Sequence, residues 1–106
     1  MSEATIIGQQ LYQCYLTLRK IESDFTIAHD KVSAAKVVIQ SYVSTAAQVS
    51  VAENTEFYES IEEDNASTRY AETAKQYNVL LAAYNQATNT SHKYIDCDVY
   101  EYRNNF

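Results

Sequence analysis

Apolar residues recur in alternating steps of four and three from Ile7 to Val49: Ile7, Leu11, Cys14, Leu18, Ile21, Phe25, Ala28, Val32, Ala35, Ile39, Tyr42, Ala46 and Val49. That heptad spacing keeps one stripe on one side of an α-helix, where it can lie against another helix. The pattern predicts a first helix over about residues 4–50, a rod of roughly 70 Å at 1.5 Å per residue. Ser23-Asp24 and Asp30 could each cap a new helix, but the stripe crosses both without a change of phase. The β-branched run between Lys36 and Val43 also keeps that phase and has no partner strand, so it reads as helix.

The stretch from Val49 to Asn54 is the expected turn, with Asn54 capping the returning helix. Phe57 and Ile61 then form an apolar pair, Glu62-Glu63-Asp64-Asn65 interrupts, and the stripe resumes out of phase at Tyr70, Ala74, Tyr77, Leu81, Tyr84, Thr88, Ser91 and Ile95. A break near residues 64–67 is therefore expected, giving a short helix over about 55–63 and a longer one over about 66–90. The fold class that follows is all-α, a coiled-coil-like antiparallel helical hairpin. If the numbers of facing residues total about 105 or 106, Ile21 meets Tyr84, Phe25 meets Leu81, Ala28 meets Tyr77, Val32 meets Ala74 and Ala35 meets Tyr70, which sets large side chains against small ones at three of the five layers. Leu80, Ala83 and Ala87, with Ile27, Ala34 and Val38, widen the apolar surface beyond one seam. The chain's own tail or a second copy could cover that surface, and dimerisation into a four-helix bundle is the expectation.

The tail from His92 to Phe106 is rich in aromatic residues. Ile95, Cys97 and Val99 alternate as in a strand, whereas Ile95, Val99, Tyr102 and Phe106 follow helical spacing. So apolar a segment is expected to dock, either on its own bundle or on a partner as an extended peptide.

Length and composition narrow the function classes. A chain of 106 residues makes one small domain, residues 1–106. Without proline and with Gly8 as the one glycine, it lacks the loops that cradle phosphates. The apolar stretches are short, which argues against a membrane span, and Met1-Ser2-Glu3 does not resemble the start of a signal peptide. A cytoplasmic protein is expected, with Cys14 and Cys97 as reduced thiols.

Charge is concentrated in one place. Glu53, Glu56, Glu59, Glu62, Glu63 and Asp64 carry −6 between them with no Lys or Arg among them, which equals the net charge of the whole chain. Such an acidic end can steer a basic partner over about a Debye length, roughly 8–10 Å, or can simply be a solvated helix start. Ten tyrosines are the other oddity. Tyr70, Tyr77 and Tyr84 repeat every seven residues, as core filler opposite small residues or as a wet self-association surface. Tyr94, Tyr100, Tyr102 and Phe106 add to the candidate aromatic contact set.

Catalytic inventory is thin. His29 and His92 are far apart and belong to no ligand spacing, and His29 reads as a surface residue beside Asp30. The clustered carboxylates have no apolar surroundings to perturb them. No cofactor, metal site or enzymatic activity is expected, and the few cations beside the tyrosines argue against direct nucleic-acid binding. The expected function is a protein-binding module: an adaptor, a chaperone-like protein or an inhibitor of a larger partner with a basic surface. A phage-encoded antagonist of nucleic-acid-binding host machinery is the type that analogy suggests. A self-assembling structural subunit is the alternative. A further one follows from Tyr94 with Asp98 and Tyr58 with Glu62, which match a Tyr-x-x-x-Asp/Glu export signal. The hairpin thus resembles in shape the small WXG-type substrates of type VII secretion, although it lacks their Trp-x-Gly turn.

Overall fold

A computed structural model describes residues 2–99. Two α-helices, α1 (Glu3–Gln40) and α2 (Ala46–Thr88), form an antiparallel hairpin through the connection 41–45. Tyr100, Tyr102 and Phe106 lie outside the described residues.

Local chemistry sets the helix ends. Ser2 caps α1, its hydroxyl accepting the Thr5 amide at 3.2 Å. At the start of α2, Thr45 and Gln48 form a reciprocal capping box. The Thr45 hydroxyl accepts the Gln48 amide at 3.2 Å, and the Gln48 carbonyl oxygen Oε1 accepts the Thr45 amide at 2.8 Å. The turn, at 41–45, therefore falls before the expected 49–54, and α1 stops at Gln40 rather than near residue 50. The apolar stripe continues past the turn only as a pattern in the sequence: Tyr42 is fully exposed, and Ala46 lies on the exposed side of a different helix. Asn54, the expected cap, sits inside α2. Thr88 ends α2 in a Schellman arrangement, with the Thr90 amide donating to the Asn85 carbonyl at 3.0 Å and Asn89 in the left-handed region at φ 55°.

The expected break at 64–67 is also absent, since α2 is continuous from Ala46 to Thr88 and the separate 55–63 and 66–90 helices are one. The physical reason is that polar residues occupy seam positions. Ala52, Glu59 and Ala66 stand seven apart, as do Glu56, Glu63, Tyr70, Tyr77 and Tyr84, and every one of them is buried or half-buried. The phase never changes; Phe57 and Ile61 lie on the opposite side and are exposed.

The register is corrected accordingly. His29 reaches Glu63, Lys31 reaches Glu59, and Gly8 faces the Tyr84 ring, so the numbers of facing residues total 90 to 92. That lies two heptads from the expected 105–106, which preserves the seam but changes every pair.

The chain packs as two compact units. The terminal unit comprises residues up to Glu22 together with those from Ser67 onward. Its core contains Ile7, Leu11 and Leu81, packed with Tyr77, Leu80 and Tyr84. By register Leu18 stands level with Ala74 and Ile21 with Tyr70, all four buried. The turn unit, Ser23–Ala66, buries Phe25, Ala28, Val32 and Ala35 of α1 and Ala52 and Ala66 of α2. Here Phe25 stands level with Ala66. Large side chains do oppose small ones, with partners other than those expected. Burying a side chain the size of Leu18 or Phe25 stabilises by roughly 1.5–3 kcal/mol.

After Asn89 the chain turns back along α2. Residues 91–98 are neither helix nor strand, and the tail docks on its own helix in the terminal unit, where Val99 is fully buried. Cys14 and Cys97 are free, half-buried thiols. Among the described residues, no helix is long and apolar enough to cross a membrane.

Candidate functional site: the acidic and apolar face of α2

The six clustered acids do not act as one patch. Glu59 and Glu63 turn toward α1 within the turn unit. Glu63 Oε1 lies 3.1 Å from His29 Nδ1, and Glu59 Oε1 lies 3.5 Å from Lys31 Nζ. His29 is further held by stacking on Phe25, with ring centroids 5.7 Å apart and planes 10° from parallel. His29 is thus a half-buried seam residue rather than the expected surface histidine beside Asp30. Glu56 is half-buried on the same side. Three acids, Glu53, Glu62 and Asp64, are exposed.

Between those exposed acids lies a feature that the sequence pattern hides. At 100° per residue Ala47, Val51, Tyr58, Ile61 and Phe57 share one outward face of α2, with Glu62 along one edge and Glu53 and Asp64 along the other. Val51, Phe57 and Tyr58 are each about two-thirds exposed, and Ile61 is 45% exposed. Phe57 and Tyr58 pack edge to face, ring centroids 5.4 Å apart, which presents a preformed aromatic pair. Near the turn the face continues into an open groove of about 580 Å³ lined by Val38, Val43, Ser44, Ala47, Gln48 and Val51. Reading Phe57 and Ile61 as seam residues hides this surface. The signal that reveals it is the seven-residue spacing of Ala52, Glu59 and Ala66 and of Glu56, Glu63 and Tyr70, which sets the seam on the other side of α2.

The aromatic candidates fall elsewhere. Tyr70 is fully buried, Tyr77 and Tyr84 pack against the Ile7–Leu11–Leu81 cluster, and Tyr94 is exposed on the tail. The ladder of three tyrosines is therefore core of the terminal unit. Tyr58 and Glu62 are exposed one turn apart on α2, while Tyr94 and Asp98 are exposed on the non-helical tail. Among the described residues no three His, Cys, Asp or Glu side chains converge as a metal site.

No family model, curated protein or solved structure matches this chain.

Proposed function

We propose that the protein is a non-catalytic protein-binding module that uses the outward face of α2 in the turn unit to hold a basic amphipathic segment of a larger partner. The observation that carries the reading is the stripe Val51, Phe57, Tyr58 and Ile61, exposed and edged by Glu53, Glu62 and Asp64. Exposed aromatic and branched side chains in a contiguous patch mark interaction surfaces. Acidic edges select a basic partner and repel acidic ones, and they raise the association rate at low salt. An adaptor or an inhibitor would both use such a face.

The test is quantitative affinity capture from the native cell with three forms of the full chain: wild type, Phe57→Ser with Ile61→Ser, and Glu53→Lys with Glu62→Lys and Asp64→Lys. Both variants should lose the same captured proteins, and raising salt should weaken wild-type capture. An unchanged captured set with either variant contradicts the reading.

The second reading is a homodimer closing a four-helix bundle through this same stripe, which the amount of exposed apolar surface favours. An isologous contact would, however, bring Glu53, Glu62 and Asp64 near their own copies, where like charges oppose association. Light scattering behind size exclusion separates the two readings by mass.

A further inference from the structure

The tail is held on α2 in an unusual way. Asn78 Nδ2 donates to the Ile95 carbonyl at 2.9 Å, and Asn78 Oδ1 accepts the Ile95 amide at 2.9 Å. Asn85 repeats the arrangement on His92: Nδ2 donates to its carbonyl at 3.0 Å, and Oδ1 accepts its amide at 3.1 Å. Each asparagine thus satisfies both backbone groups of one residue, as a neighbouring β-strand would.

The spacing fits an extended ligand. Asn78 and Asn85 are two helical turns apart, roughly 10.5 Å at 1.5 Å per residue. Three residues of extended chain, from His92 to Ile95, span roughly 10 Å. From Ile95 onward burial alternates: Ile95 and Cys97 are half-buried and Val99 is buried, while Asp96 and Asp98 are exposed.

We propose that Asn78 and Asn85 form a binding site for an extended peptide backbone, filled in cis by the chain's own tail and able to take an extended segment of another protein with apolar side chains at alternate positions. The site lies in the terminal unit and does not depend on the reading of the turn-unit face. These four hydrogen bonds read only main chain; Asn78 Nδ2 also lies 3.9 Å from Cys97 Sγ and Asn85 Oδ1 also accepts the Thr90 hydroxyl at 3.2 Å, and the inward alternation adds selectivity. Competition comes from the tail. Its tether is the short connection 89–91, which turns through the left-handed Asn89 and holds it at an effective concentration in the millimolar range. A segment in trans must outcompete it, so the tail acts as a strap over the site.

The test uses fluorescence anisotropy of a fluorescein-labelled peptide with the sequence of residues 90–99, Cys97 replaced by Ser, against the full chain. In Ile95→Pro the tail loses the amide that Asn78 accepts, and in Ile95→Pro with Val99→Asp it also loses its buried anchor. Ile95 lies outside both helices, so Ile95→Pro alone decides the matter should the double variant lose its helical circular dichroism. The loosened chains should bind the peptide at least about ten-fold more tightly than wild type. Adding Asn78→Ala and Asn85→Ala to the loosened chain should weaken binding at least about ten-fold, since the four main-chain hydrogen bonds and the one to the Thr90 hydroxyl go. A peptide with alanine at positions 94 and 96 should bind within about three-fold of the parent, because those side chains are exposed. The proposal is overturned if loosening the tail does not tighten binding, or if replacing both asparagines leaves binding unchanged.

Discussion

Glu59→Leu should stabilise the protein, although it removes an ion pair. Glu59 occupies a seam position between Ala52 and Ala66, and only 23% of its side chain is exposed. Leucine there would bury about three-quarters of a side chain whose full burial contributes roughly 1.5–3 kcal/mol, a gain of about 1–2 kcal/mol. The Glu59–Lys31 pair, 3.5 Å apart and with a lysine side chain that is itself 55% exposed, contributes about 0–1 kcal/mol after solvent screening. The net gain is about 1 kcal/mol, or about 4 °C in Tm for a chain of this size. Glu62→Leu is the control, because Glu62 is exposed on the outward side and its replacement should change stability by less than about 0.5 kcal/mol. Both are read by urea unfolding followed by circular dichroism, with the m-value checked for constancy. A loss of stability in Glu59→Leu, or an equal gain in Glu62→Leu, would refute the placement of the acidic cluster on the seam.

Three further outcomes follow from the packing. Phe25→Ala, at a fully buried ring, should cost about 3–5 kcal/mol in urea unfolding, whereas Phe57→Ala should cost under about 0.5 kcal/mol and act on partner binding instead. Thr45→Ala removes half of the capping box and should cost about 1 kcal/mol, measured in the same way. Gly8→Ala should stabilise by about 0.5–1 kcal/mol, because a Cβ there meets the Tyr84 ring edge at an ordinary 3.4 Å while the helix loses its most flexible residue; thermal melts would show it as a higher Tm.

The hairpin is legible in the sequence because the first helix obeys its heptad: Ile7, Leu11, Leu18, Ile21, Phe25, Ala28, Val32 and Ala35 are all buried. The position of the turn is not, because Tyr42, Ala46 and Val49 prolong the stripe by coincidence, while the true stop is written in a polar capping pair that apolar periodicity does not see. The continuity of α2 is hidden for a related reason. Its seam runs through Glu56, Glu59 and Glu63, two of which meet Lys31 and His29 on α1, so charge stands where periodicity looks for an apolar residue. The same exchange of roles makes Phe57 and Ile61 look like core. Together these two features conceal the outward face that carries the functional proposal. Docking of the tail follows from its apolar content, but the asparagine pair that holds it has no signature in hydropathy, since most of its partners are main-chain atoms.

Register and phase determine which residues of α2 are left for a partner, so the most direct measurement is a ¹³C-edited NOESY spectrum of the free protein. Cross-peaks from the Tyr84 ring to Gly8 and Ile7 are the expected outcome, because a Cβ at Gly8 would lie 3.4 Å from that ring and Ile7 shares its cluster. Cross-peaks from Tyr84 to Ile21 in their place would put the register two heptads away and contradict every pairing described, including those of Glu59 and Glu63 with α1.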